Sequence, residues 1–200
     1  MKCFIILFLS LFGVCYGNTI HMFGDSVFET QGKGVHRELQ NITGQSISDH
    51  SKGGTWMGTI VESYHRYKDD DLKIVVMDGG GNDMTGSNCK NFSEQCRNAM
   101  DNAIQIVADI IPVMEEEGIE KLIFVGGYYF TGWQAGYDHV VDYCYEKLQP
   151  ICDSSEICTL VDPREDFRNN GHFIGWDGVH PTGAGVRRLA ELIYESMDLW

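Results

Sequence analysis

The sequence predicts a single three-layer α/β domain built on a mainly parallel five-stranded sheet, and three observations carry that prediction. Short apolar runs alternate with helical patterns along the whole chain, rather than strands falling in one block and helices in another. That alternation is the order of parallel strands joined by helical crossovers. Two of the runs, LKIVVM at 72–77 and KLIFV at 121–125, are nearly all apolar, as strands covered on both faces are. The third observation is length, since 200 residues less a hydrophobic leader can bury one sizeable core but not two.

The leader is MKCFIILFLSLFGVCYG, residues 1–17, with one basic residue at Lys2, an apolar run from about Phe4 to Val14, and small residues at Cys15 and Gly17. This is the layout of a cleavable secretory signal cut near Gly17, leaving 18–200 as the mature domain. Its apolar stretch is too short for a membrane span, and no later stretch approaches the roughly 18 apolar residues that a spanning helix requires. A secreted protein with no stable membrane insertion is therefore expected.

The strands are expected at 19–23, 45–47, 72–77, 121–125 and 159–161. Of the helices between them, 93–117 is the clearest, with Ile104, Val107, Ala108, Ile111 and Met114 at three- and four-residue steps and Gly118 as the stop. Helix 56–67 offers Ile60, Val61 and Tyr64 as its apolar side, and the last helix carries Val186, Leu189, Ala190, Ile193 and Met197 on one stripe. The acidic runs at 69–71 and 115–117 read as a loop and a solvated helix end.

A net charge of −14 repels phosphate backbones, so nucleic acid is excluded as a partner. After loss of the leader, Cys89, Cys96, Cys144, Cys152 and Cys158 remain, which in an oxidising compartment is two bridges and one spare thiol. Cys89 with Cys96 is the local pair expected, and the other joins two of Cys144, Cys152 and Cys158. The sequons at Asn41 and Asn91 are candidate glycosylation sites.

Chemistry is expected beyond the carboxyl ends of the strands, where parallel sheets collect ligands. Ser26 follows the first predicted strand in FGDSVFE, and MDGGGND at 77–83 follows the third. Near the end, GWDGVHPTGAG places Asp177 and His180 three residues apart, just before the last helix. A serine hydroxyl is a weak nucleophile without an adjacent base. His180 can supply that base, with Asp177 holding its Nδ1 proton so that the other ring nitrogen faces the serine. Developing negative charge then needs fixed donors: the amide of Ser26, a glycine amide at Gly53 or Gly54 in KGGT, and the side-chain amide of Asn82.

These four stretches, FGDS, SKGGT, GGGND and WDGVH, occur in the order of the SGNH hydrolases, or GDSL-type esterases and lipases, and the sequence resembles that family from Phe23 to His180. The resemblance implies a flavodoxin-like α/β/α sandwich. It further implies hydrolysis of esters or thioesters through an acyl-serine intermediate, without metal or other cofactor. It makes Ser26 both nucleophile and oxyanion donor, Asn82 and a glycine at 53 or 54 further donors, and Asp177 and His180 the rest of a triad. Val27 stands where the family usually has Leu, an apolar exchange.

Competing readings of the same residues are weaker. Phe28 stands where the elbow GxSxG requires its second glycine, and Met84 where GxGxxG requires its third. A metal site on His172, Asp177 and His180 would leave Ser26 and Asn82 without a role. The aromatic run GGYYFTGW after the fourth strand makes Tyr128, Tyr129 and Trp133 candidates for stacking on a sugar or lining an acyl groove. The expected substrate is thus a small ester, a short-chain lipid ester or an acetylated glycan. A non-catalytic glycan-binding module on the same scaffold is the alternative.

Overall fold

The computed structural model of the protein describes residues 20–197; the leader, and Thr19 at the head of the first predicted strand, lie outside the described residues. Five strands, β1 (Ile20–Phe23), β2 (Ile47–Asp49), β3 (Ile74–Asp78), β4 (Lys121–Val125) and β5 (Cys158–Val161), form one sheet in the order β2-β1-β3-β4-β5. Every pairing is parallel. The sheet and its flanking helices make the three-layer α/β/α sandwich that the alternating pattern predicts.

Among the strands, β4 has the predicted bounds, whereas β2 lies two residues later than expected. Gly44 closes the preceding helix in the left-handed conformation, with φ 67°, and the chain completes that turn before Ile47 can bury itself opposite Ile20. The central strands are the apolar ones: β1 is buried throughout, and β3 and β4 everywhere but their first residue.

Among the described residues seven α-helices accompany the strands: α1 (Ser26–Thr43), α2 (Met57–Tyr67), α3 (Gly81–Gly86), α4 (Glu94–Glu116) and α5 (Asp138–Asp153) lie between strands, and α6 (Arg164–Asn169) and α7 (Gly183–Glu195) follow β5. Helix α1 packs along α7, while α4 packs against α2 and α5. Side-chain oxygens of Asp25, Ser93 and Thr182 cap α1, α4 and α7 by accepting amide hydrogens from Val27, Cys96 and Gly185. Helix α1 is broken after its first turn. Thr30 is extended, and Gln31, Gly32 and Lys33 follow with φ of 52°, 64° and 63°, a run that L-residues with side chains adopt at a cost of about 1–2 kcal/mol each.

Disulfides join Cys89 to Cys96 and Cys152 to Cys158, and Cys144 keeps its thiol. Burial pushes that thiol up to about 12, so it is inert at neutral pH. Asn41 and Asn91 are both exposed. Among the described residues no helix is long and apolar enough to cross a membrane.

Candidate active site

From β1 the chain steps to β2 on one side and to β3 on the other, so the crevice beyond β1 and β3 is the switch point of the sheet. Ser26 opens α1 three residues beyond the end of β1, and the glycines at 79, 80 and 81 leave β3 beside it. Two buried carboxyls fasten these loops together. The Asp25 amide donates to Asp78 Oδ1 at 2.9 Å. The Asp25 side chain accepts from Val27 N at 2.9 Å and from Asn82 Nδ2 at 3.1 Å. Gly24 permits that approach, because a Cβ there would lie 1.8 Å from Asp78 Oδ1. Burial raises Asp25, offset in part by the Val27 amide, and burial together with the nearby Asp25 holds Asp78 well above the usual carboxylate range.

Across the crevice, residues 174–181 form a tight loop that Ile174 and Pro181 close as an isolated bridge. The Gly175 amide donates to the His180 carbonyl at 2.7 Å, and the Gly178 amide to the Gly175 carbonyl at 3.0 Å. Gly178 has φ +76°, and a Cβ on it would stand 2.2 Å from the Thr131 carbonyl oxygen, so both conformation and space demand glycine there. Asp177 Oδ1 accepts from the amides of Val179 and His180, each at 2.9 Å, and Oδ2 lies 2.8 Å from His180 Nδ1. Burial pulls the Asp177 carboxyl upward, but the Val179 amide and the ring and amide of His180 outweigh it and leave it below the usual value.

The other ring nitrogen completes the chain, with His180 Nε2 2.8 Å from Ser26 Oγ. An ionised carboxylate only accepts, so the proton sits on Nδ1 and Nε2 is left to accept from the serine. Ser26 and His180 are separated by 154 positions in the chain, and the fold brings them into hydrogen-bond contact on one rim.

The second loop contributes Gly53, whose built Cβ would lie 3.6 Å from Ser26 Cβ, while nothing lies within 4 Å of one on Gly54. Gly54, with φ +77°, turns the loop. Asn82 Nδ2 donates to Asp25 and also to the Thr55 carbonyl at 2.9 Å. Beneath the glycines after β3 lies a mostly apolar cavity of ≈ 90 Å³, bordered by Asp25 and Val27 on either side of Ser26 and by Met100, Ile104 and Val141.

The aromatic run divides. Tyr128 is 2% exposed and turns inward, its hydroxyl donating to the Val179 carbonyl at 2.6 Å, so it supports the histidine loop instead of offering a stacking face. Tyr129 donates to Asp142 Oδ1 at 2.6 Å beneath the Arg168 guanidinium. Trp133 is 68% exposed, as a contact residue should be. Sequence reasoning misses Trp176, which stands 94% exposed next to Asp177. Its loop is tied to that of Trp133, the Thr131 amide donating to the Gly178 carbonyl at 2.9 Å. Its one signal is its place inside WDGVH, directly before Asp177. Among the described residues no group of three or more His, Cys, Asp or Glu side chains is arranged to hold a metal ion, so His172, Asp177 and His180 do not form one.

A parallel α/β/α sandwich with these loops at its switch point is the scaffold of an SGNH-type carboxylic ester hydrolase. The model of the GDSL-like lipase/acylhydrolase family matches residues 20–193, and the chain belongs to that family. Among solved structures, an acetylxylan esterase from Geobacillus stearothermophilus is similar at 15% identity and TM-score 0.70, covering 92% of this chain and 95% of its own. Another acetyl xylan esterase has 17% identity and TM-score 0.71, covering 89% and 98%. A protein from Slackia heliotrinireducens described as an SGNH hydrolase has 18% identity and TM-score 0.66, covering 89% and 97%. At these identities the likeness is one of fold. A comparison with curated proteins finds no match.

Proposed function

We propose that the protein is a secreted serine esterase that removes short acyl groups, O-acetyl groups of glycans foremost, through an acyl-Ser26 intermediate. The observation that carries this reading is the unbroken line of hydrogen bonds from Ser26 Oγ through His180 to Asp177, 2.8 Å at each step. In the first half-reaction Ser26 Oγ bonds to the acyl carbon and its proton passes to His180 Nε2. The ester C–O bond then breaks, and the alcohol leaves with that proton. Water repeats the sequence on the acyl-serine, giving the carboxylic acid and the restored hydroxyl. Asp177 keeps the ring in the required tautomer and stabilises the imidazolium.

The amides of Ser26 and Gly53 serve as oxyanion donors, and Asn82 joins them by exchanging one of its internal acceptors for the oxyanion. Each such donor contributes about 3–4 kcal/mol to transition-state stabilisation. Trp133 and Trp176, exposed on joined loops, favour a sugar as the alcohol portion, since pyranose faces stack on indole rings. Likeness in fold to acetylxylan esterases is in keeping with this choice. Secretion rests on the leader and accords with the two disulfides.

The test is acetate release from p-nitrophenyl acetate and from an acetylated xylo-oligosaccharide by the purified protein, Ser26→Ala and Trp176→Ala. Ser26→Ala should abolish both activities, and Trp176→Ala should raise KM for the oligosaccharide alone. Full activity in Ser26→Ala would overturn the mechanism, and an unchanged KM in Trp176→Ala would remove the glycan assignment.

A further inference from the structure

The carboxylate of Glu29 occupies the donor that an oxyanion would need. Glu29 ends the isolated first turn of α1, three residues after Ser26, so the two side chains leave neighbouring positions on one helical face. Its Oε2 accepts the Gly53 amide hydrogen at 2.5 Å. A Cβ built on Gly53 would lie 2.6 Å from that oxygen as well as 3.6 Å from Ser26 Cβ, so the carboxylate and the serine both border Gly53. Helical geometry stops directly after Glu29, with Thr30 extended and residues 31–33 left-handed. The turn holding Ser26 and Glu29 is therefore oriented by this strained link and by the Asp25 contacts, apart from the long segment of α1 that packs on α7.

Resting on the assignment of Ser26 as nucleophile and Gly53 as donor, we infer that Glu29 determines specificity: its carboxylate stands in for the oxyanion at the Gly53 amide, and a substrate has to displace it. One N–H cannot serve two anions at full strength. Once displaced, the carboxylate stays tethered beside the ester, where it repels negative charge and accepts readily from a hydroxyl. Esters whose alcohol portion carries free hydroxyl groups next to the acyl group give it a new partner. A partly acylated glycan is such an ester. A simple aryl ester offers no hydroxyl, so with that substrate the carboxylate remains a competitor for Gly53.

Steady-state kcat and KM of the full chain, Glu29→Ala and Glu29→Gln on p-nitrophenyl acetate and on an acetylated xylo-oligosaccharide test this. Glu29→Ala should raise kcat/KM for the aryl ester by about 3- to 10-fold, the size of one ordinary hydrogen bond. Glu29→Gln should fall between, since its carbonyl oxygen accepts without charge. On the oligosaccharide Glu29→Ala should gain nothing or lose activity, so that preference for the glycan ester over the aryl ester drops by at least about 3- to 10-fold. A carboxylate that only fastens the 51–55 loop to α1 predicts equal losses on both substrates. Equal losses, or an unchanged preference, would overturn the inference and leave the role of Ser26 intact, because the unsubstituted chain still turns over. Absence of turnover of both esters by the unsubstituted chain would overturn both.

Discussion

Asp177→Asn removes one charge and almost no shape, yet the geometry of the loop turns that exchange into a change of tautomer at His180. Asp177 Oδ1 receives two amide hydrogens, from Val179 and His180, and Oδ2 faces His180 Nδ1. An asparagine preserves the loop only with its carbonyl oxygen in the Oδ1 place, which puts its NH₂ group opposite Nδ1. Two donors cannot face each other, so His180 must carry its proton on Nε2, 2.8 Å from Ser26 Oγ, where the reaction needs an acceptor. The lost charge-assisted hydrogen bond is worth about 1.5–3 kcal/mol, and restoring the working tautomer against the new hydrogen bond adds about 1 kcal/mol. At 1.36 kcal/mol per decade, the sum is a fall in kcat of about 10²- to 10³-fold. A fully enclosed aspartate gives more, roughly 10⁴-fold, but the Asp177 side chain is 32% exposed and water takes up part of its role. The assay is hydrolysis of p-nitrophenyl acetate at pH 8, alongside urea unfolding to show that the loop survives within about 1 kcal/mol. Activity within fivefold of the unsubstituted protein, with the fold intact, would refute the assignment of Asp177 as the residue that orients His180.

Two further predictions concern the frame around the site. Gly24→Ala drives a methyl group to 1.8 Å from Asp78 Oδ1 and 2.8 Å from the Phe28 ring and should destabilise the protein by about 3 kcal/mol in urea unfolding; a loss below about 1 kcal/mol would mean that the Asp25–Asp78 clasp is not tight. Burial lowers His21, against a smaller upward pull from Asp69, and likewise lowers His50, with His21 beside it adding to the effect. Their folded values lie below the unfolded reference of about 6.5, so the unfolded chain takes up more protons as the pH falls through that value. The stability they contribute is complete above it and is lost on acidification, by up to about 1.4 kcal/mol per pH unit for each group. The raised carboxyls of Asp25, Asp78 and Asp83 run in the opposite sense, contributing fully below about 3.9 and less as the pH climbs through their folded values. Urea unfolding at pH 7.5 and 5.5 should therefore show a smaller loss on acidification in His21→Leu than in the unsubstituted protein, and equal losses would refute the assignment.

The sequence is most readable where local pattern and tertiary burial agree. KLIFV is apolar because both faces of β4 are covered, and its bounds follow directly from the run. In α4, Ile104, Val107, Ile111 and Met114 lie buried on the predicted stripe, and Gly118 turns the chain with φ +79°. Helix α5 is not marked in the same way. Its buried side, Val140, Val141, Tyr145, Leu148 and Cys152, mixes aromatic and sulfur side chains with aliphatic ones and carries Pro150 in its last turn, so no run of aliphatic residues marks the period. The Cys152–Cys158 bridge is equally hidden, because three cysteines within fifteen positions satisfy several pairings until β5 places Cys158 against the end of α5.

Legibility of the site divides along the same line. Ser26, Asn82, Asp177 and His180 are visible because each depends on residue type within a short motif, and the fold needs only to bring four loops to one rim. Tyr128, Trp176 and Glu29 depend on which way a side chain turns, and no local pattern encodes that. Tyr128 faces inward because its hydroxyl finds the Val179 carbonyl below the histidine loop. Trp176 faces outward because the bonds across its loop, from Gly175 to His180 and from Gly178 to Gly175, leave it at an exposed turn. Glu29 reaches Gly53 because the left-handed residues after it separate its turn from the long part of α1. The same break that costs the helix several kilocalories of regular geometry therefore frees the segment that carries Ser26 to be positioned by Asp25, Asp78 and Gly53. The strain lies between the part of α1 that packs on α7 and the first turn, which carries Ser26.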